Sequence, residues 1–324
     1  MNTIRSLLKK TGVQAAFFAA FGAAAWYGGS YYERQRCREK LASLGLPVTL
    51  SEYPQFPITP IISAAEVDQN RVALVQKRTS EIMRFGFPSL NNVRYFDDFL
   101  LSYDNRTRVA NWVFEHLTEE NLKVKDNVNR ELCQFVEDPT IHQFFRSTNA
   151  DYYRSGYDRG HLAAAGNHKL QQSHCDQTFT LSNIAPQVGV GFNRGAWNRL
   201  EKYVRAQARH NSNVYVCTGP VFKPHREADG KKYVKYEVIG ERDVAVPTHF
   251  FKVIVMEGHD NKLTMEAYLM PNQPINDNAP LTQYLANLED IEKLTGLLFL
   301  SDKLREQFRE EMRKPIQGKK KAIR

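Results

Sequence analysis

The sequence predicts an α+β fold built on a largely antiparallel central sheet flanked by helices. Three observations lead there. Short runs of β-branched and aromatic residues fall in groups, at 99–114 and again at 214–270, with Asp, Asn, Gly and Pro between them. Helical periodicities are inserted between and after those groups, and do not alternate strictly with strands. Strict alternation would have pointed to a parallel sheet; grouped strands point to an antiparallel one.

Taken in order, Phe99-Leu-Leu-Ser-Tyr103 and Ala110-Asn-Trp-Val-Phe114 read as two strands around the turn at Asp104-Asn105. From Arg194 onward, Trp197, Leu200 and Val204 recur at helical spacing with Arg199, Lys202 and Arg205 between them. That is an amphipathic helix with a basic outer face, Asn193 at its N-cap and Glu201 two turns on. Val214–Thr218, Tyr233–Ile239, Phe250–Val255 and Leu263–Met270 read as further strands. Tyr284, Leu288, Ile291 and Leu294 fall at four- and three-residue steps, a helix that Gly296 ends.

A chain of 324 residues is long enough to bury a sizeable core. Its net charge of +8 suggests an acidic partner until the charges are located. Residues 1–40 hold seven Lys/Arg against two Glu, and residues 313–324 hold six Lys/Arg and no acid, so the body 41–312 is left at −3. Anything that binds phosphate there must be a local patch. The four cysteines, Cys37, Cys133, Cys175 and Cys217, form no Cys-x-x-Cys pair, which excludes a zinc ribbon and a disulfide framework. Cys217 lies in an apolar run and reads as a small buried hydrophobe; Cys133 reads as a buried thiol, with a redox role as the alternative.

Between Lys10 and Glu33, residues 11–32 carry no charge, with basic residues on both sides. As a helix this stretch would span about 33 Å, close to the hydrocarbon thickness of a bilayer. It reads as a targeting or membrane segment, either a secretory signal or an organellar presequence with an anchor. The linker 41–75 is marked by Pro47, Pro54, Pro57 and Pro60. The tail 313–324 ends in a Lys319-Lys-Lys321 run, read as a solvated appendage, with a nuclear-import signal or extra phosphate contacts as alternatives.

The most informative stretch is Gly156-Tyr-Asp-Arg-Gly-His-Leu-Ala-Ala-Ala-Gly-Asn167. An imidazole with an unperturbed pKa of about 6.5 can take a proton from water near neutral pH. A guanidinium beside it can hold a phosphate through two parallel hydrogen bonds and keep its charge. His161 and Arg159 supply these groups, with Asp158 adjacent and Gly160 permitting close backbone approach. His168, His174 and Cys175 could suggest zinc, but the spacing of a soft-ligand site is absent.

With Leu181-Ser-Asn-Ile-Ala-Pro-Gln187, Asn193 with Glu201 eight residues later, Val214-Tyr-Val-Cys-Thr-Gly-Pro220 and Val244-Ala-Val-Pro-Thr-His-Phe-Phe251, the chain resembles the non-specific DNA/RNA nucleases of the ββα-metal (His-Me finger) class. The resemblance covers roughly residues 80–300 and makes 76–312 a nuclease domain containing a ββα-metal catalytic unit. It implies a Mg²⁺-dependent, sugar-nonspecific endonuclease that leaves 5′-phosphate ends on DNA and RNA, with Mn²⁺ as a substitute metal. It implies His161 as general base, Asn193 as the direct metal ligand, Glu201 holding a metal-bound water, and Arg159 clamping the phosphate. Asp158 orients its neighbours, and Arg130 is the best match to an upstream family arginine. Arg159, Arg194 and Arg199 are the candidate substrate contacts. The resemblance further implies a homodimer located in mitochondria, on the intermembrane-space side or associated with the inner membrane through residues 11–32, with relocation to the nucleus as a further expectation. The alternatives are the related mitochondrial exonuclease branch, which replaces the Asp of the core where this chain has Asp158, and a catalytically silent, membrane-tethered nucleic-acid-binding protein.

Overall fold

The computed structural model describes residues 77–87, 91–125 and 127–300, together with Arg305 and Phe308. All belong to the compact unit that begins at Ile62. The segment 1–40, the linker 41–75 and the tail 313–324 lie outside the described residues, and no helix among the described residues is long and apolar enough to cross a membrane.

A six-stranded sheet organises the molecule. Strands β1 (Val93–Tyr95), β2 (Phe99–Asp104) and β3 (Val109–Leu117) form a meander. The chain then leaves the sheet and makes the ribbon of β4 (Tyr157–His161) and β5 (Ile184–Val188) before returning as β6 (Asn213–Val221). Two small ribbons follow, β7 (His225–Arg226) with β8 (Lys232–Tyr233), and β9 (Val238–Ile239) with β10 (Val244–Ala245). The last two sheet strands are β11 (His249–Glu257) and β12 (Leu263–Pro271). The sheet order is β1-β2-β3-β6-β11-β12, and every neighbouring pair is antiparallel.

The central strands are buried on both faces, and their period of two sorts side chains into two cores. Leu101, Val113, Val216, Phe250 and Ile254 face the helix Asn198–His210, which contributes Leu200, Val204 and Ala208. Leu100, Trp112, Phe114, Cys217, Phe251 and Val253 face the other way, against Leu288 and Ile291 of the helix Leu288–Thr295 and against Phe299. Each such side chain contributes about 1.5–3 kcal/mol by leaving water. Cys217 is a buried packing residue.

Four expectations are corrected. Tyr233–Ile239 forms no continuous strand: its ends join the two small ribbons, while Val234, Tyr236 and Val238 remain exposed. Strand preference there has no packed surface to act on, and packing is what the preference mostly measures. Asn193 does not cap the long helix. Gly189–Trp197 is a kinked turn with non-helical backbone at Val190, Gly191 and Gly195, and the regular helix begins at Asn198. Gly191 sits at φ 83°, with Ile275 N and Pro274 Cα 3.0 Å from where a Cβ would lie, so only glycine fits. Arg205 is not on an outer basic face: it is half-buried and donates to Asn167 Oδ1 at 3.0 Å. At the C-terminal end, Tyr284 belongs to a separate turn, Leu281–Tyr284. Gly296 ends the following helix at φ 71°, its N–H bonded to Glu292 O at 2.8 Å.

Candidate active site

The ribbon β4–β5 followed by the helix Asn198–His210 forms a ββα unit against one face of the sheet. Its register pairs Asp158 with Gln187, Gly160 with Ala185 and His161 with Ile184. The exit of β4 is clamped by the buried Asn183: its Oδ1 accepts from Ala163 N at 2.9 Å, and its Nδ2 donates to Ala163 O and Thr178 O. Gly160 is required by packing, since a Cβ there would come within 2.2 Å of the Gln187 side chain.

Strand alternation divides the Asp-Arg-Gly-His core. Arg159 and His161 meet the same ring: the Arg159 guanidinium lies 4.2 Å from the Phe135 centroid, and the His161 ring 5.5 Å from it. Phe179 meets His161 edge-on, with centroids 4.6 Å apart, and lies 4.9 Å from Phe135, so the three rings form a triangle. Arg159 is anchored by Asn149 Oδ1 at 2.6 Å. His161 is partly exposed, but its Nε2 is enclosed with no hydrogen-bond partner. Burial, then the charges of Arg130 and His168, push its pKa down to about 3, so the ring is neutral at physiological pH.

Arg130 opens a short turn, Arg130–Leu132, capped by Asn129, whose side chain accepts from Glu131 N. Its guanidinium lies 5.9 Å from the Phe179 ring, and its charge is felt by both His161 and Glu201. Burial pushes the Glu201 carboxyl up, opposed by Lys252, Arg205 and Arg130.

Asp158 turns to the opposite group. Its Oδ2 accepts from Asn193 Nδ2 at 2.9 Å and lies 3.5 Å from Arg194 Nε. Arg194 is exposed, whereas Arg199 is drawn away from the cluster, with NH1 3.3 Å from Asp277 Oδ1 and NH2 bonded to Ala279 O. Arg199 also ties the helix to the 277–279 loop.

Beside Arg130, Cys133 Sγ and Cys175 Sγ are 3.3 Å apart and both are free. Burial, Asp176 and Cys175 raise the Cys133 thiol well above its ordinary range, which suppresses the reactive thiolate. His168 is no ligand candidate, because both its ring nitrogens contact carboxylates.

What sequence reading missed lies behind the site. Glu115 and His168 are fully buried, as is Lys252, whose Nζ donates to Thr218 Oγ1 at 2.5 Å and lies 4.9 Å from the Trp197 ring. The available signal was a charged residue inside an otherwise apolar strand: Glu115 in Trp-Val-Phe-Glu-His, and Lys252 in Phe-Phe-Lys-Val.

Comparison with known proteins fits this geometry. Residues 78–306 match the family model described as DNA/RNA non-specific endonuclease. The mitochondrial endonuclease G of Caenorhabditis elegans is 48% identical over 243 residues, covering 75% of this chain and 79% of that protein. That of Bos taurus is 43% identical over 295 residues, covering 90% and 93%. A crystal structure of the EndoG/EndoGI complex superposes with a TM-score of 0.68 at 60% identity, covering 68% of this chain and 91% of that one.

Proposed function

Because this chain belongs to the DNA/RNA non-specific endonuclease family, we propose that it hydrolyses internal phosphodiester bonds of DNA and RNA with His161 as general base. The observation that carries the assignment is the packing of the His161 imidazole against Phe135 and Phe179, with the Arg159 and Arg130 guanidinium groups over those same two rings. With Nε2 enclosed, the ring accepts the proton of the attacking water at Nδ1. Arg159, assisted by Arg130, neutralises charge on the scissile phosphate. Arg194 reaches a flanking phosphate.

Asn193 and Glu201 fit a Mg²⁺ ion by the chemistry of their donors, both hard oxygens. The Asn193 amide nitrogen is committed to Asp158, which leaves the amide oxygen facing elsewhere as the direct ligand. Asp158 is thus the residue that orients the ligand. Glu201 would hold a water of the metal's shell. Bound Mg²⁺, or Mn²⁺ in its place, supplies Lewis-acid stabilisation of the leaving 3′ oxygen.

The relatives' mitochondrial location extends to this chain. Residues 1–40 direct it there and place the body on the intermembrane-space side, and the domain works as a homodimer. Relocation to the nucleus would bring it to chromosomal DNA. The test is incubation of the protein with supercoiled plasmid and with RNA, with Mg²⁺ and with chelator. Mg²⁺-dependent cleavage of both, lost in His161→Ala, is expected; cleavage unaffected by chelator, or retained by the variant, overturns the reading.

A further inference from the structure

Behind the ββα unit runs a row of buried ionisable side chains that the chemistry above does not use. His168 and Glu115 are 0% exposed, and Asp98 is 5% exposed. His168 Nδ1 lies 2.7 Å from Asp98 Oδ2, and Nε2 lies 2.9 Å from Glu115 Oε1. An ionised carboxylate only accepts hydrogen bonds, so bonds at both ring nitrogens require a proton on each. The ring is an imidazolium bracketed by two carboxylates.

Each bracket leads to a different part of the fold. Asp98 Oδ1 accepts from Arg78 Nε at 3.0 Å and NH2 at 2.7 Å, and the partly buried His174 Nδ1 is 3.8 Å from Asp98 Oδ2. Arg78 NH1 also meets His116 Nδ1 at 2.9 Å. Glu115 Oε1 accepts from Asn167 Nδ2 at 2.8 Å, and Asn167 Oδ1 accepts from Arg205 NH1 at 3.0 Å. Arg205 sits one helical turn beyond Glu201 on the long helix. Asn167 and His168 end the connector that begins immediately after His161. The other Glu115 oxygen, Oε2, is enclosed without a bond, so the hydrogen bonds of this carboxylate come from His168 and Asn167, while the charges of Lys252 and Arg205 also act on it.

We propose that His168, held as an imidazolium between Asp98 and Glu115, is a positioning residue that locks the strand carrying His161 to the helix carrying Glu201. The role rests on the endonuclease reading above. A neutral side chain at 168 takes from Glu115 the one positive charge hydrogen-bonded to it, leaving Asn167 as its bonded partner, and a buried charge so weakened is relieved by movement of the elements that hold it. Those elements are β3 and the connector, and through Asn167 and Arg205 the metal-side helix. Burial alone would discharge the ring, but the bonds to Asp98 and Glu115 outweigh it and raise its pKa to about 9.

The test uses the full-length protein. Histidine ¹⁵N NMR at pH 8, with His168 assigned by its absence in His168→Gln, is expected to show both ring nitrogens protonated. In plasmid and oligonucleotide cleavage, His168→Gln and Glu115→Gln should each lower kcat by about 10–100-fold, in line with residues that orient metal and base groups. KM for duplex DNA should stay within about twofold, and the double variant should be no slower than the slower single variant. Glu115→Gln keeps the shape and an acceptor oxygen, so it carries the same readings if His168→Gln does not fold. A neutral His168 ring, unchanged kcat in a variant with native near-UV dichroism, a KM effect in place of a kcat effect, or multiplying losses in the double variant would each overturn the role. A wild-type protein that cleaves nothing fails the endonuclease reading and the positioning role with it; an active wild type with any of those four results fails the positioning role alone.

Discussion

Replacing Gly160 with alanine adds one methyl group at the tightest point of the β4–β5 ribbon. Its Cβ would lie 2.2 Å from Gln187 Cδ and Oε1 and 2.4 Å from Gln187 Cγ, well inside van der Waals contact. Gln187 is a long side chain that could swing aside on a surface, but here it is fully buried, with no open space to swing into. Either Gln187 or the strand must move. Overpacking of this kind costs about 1–3 kcal/mol, and at about 2–4 °C per kcal/mol for a domain of this size the melting temperature should fall by roughly 2–12 °C. Strand movement would also displace His161, the next residue, so kcat should fall further than the loss of folded protein explains. The assay is urea unfolding with cleavage measured per folded molecule, on Gly160→Ala, Gln187→Ala and the double variant. Shortening Gln187 should restore most of the stability lost to Gly160→Ala. A single variant with native stability and rate, or a double variant no better than the single, would refute the steric argument.

Other outcomes follow from the same geometry. His161→Ala should retain duplex binding while turnover falls by on the order of 10²–10⁴, read by single-turnover cleavage. Asn193→Ala should weaken Mg²⁺ binding in calorimetry, and Asp158→Asn should weaken it less, because an amide oxygen at 158 can still accept from Asn193. Stability should depend on pH through the buried triad. Burial opposes the charge on Asp98, but its bond to His168 and the charges of His168 and Arg78 hold it at about 2. Its contribution is therefore full above the ordinary aspartate value and lost as pH falls through about 2. His168, raised to about 9, contributes fully below its ordinary value of about 6.5 and loses that contribution as pH rises through about 9. Urea midpoints should decline between those two values in the wild type and not in His168→Gln. The body's formal charge of −3 confines phosphate contacts to a small patch, so log K should fall with log salt at about −0.9 per contact. Deleting Lys319–Arg324 should barely alter the slope of His161→Ala binding to duplex DNA; loss of most of it would make the tail a substrate arm.

The sheet was legible because its strands carry their own signal. Phe99–Tyr103, Val214–Thr218 and Phe250–Val255 are predominantly apolar on both faces, the mark of a strand covered on both sides. Tyr233–Ile239 is also rich in β-branched and aromatic residues, broken by Lys235 and Glu237, and failed, because composition does not reveal whether a packing surface exists. The Asp-Arg-Gly-His core and the Asn193–Glu201 spacing were visible as a local pattern. The separation of Asp158 from His161 was not, since it depends on which face of β4 each residue takes. Arg199 and Arg205 were indistinguishable as helix-surface cations; only tertiary contacts assign one to Asp277 and the other to Asn167. His168 was weighed as a metal ligand because its true partners, Asp98 and Glu115, lie 70 and 53 positions away in the chain.

The insertion of the whole catalytic unit between β3 and β6, neighbours in the sheet, has a consequence for how activity arises. Pairing Leu117 with Val214 closes a loop that spans every candidate catalytic residue named above, from Arg130 to Glu201. Closure of a long loop costs entropy before any contact repays it, and sheets dominated by distant pairings form slowly and cooperatively. The packed core that supports His161 and Glu201 against the sheet is complete only once β6 docks and the space between sheet and helix is sealed. Destabilising the β3–β6 seam should silence the enzyme in the same step that unfolds it.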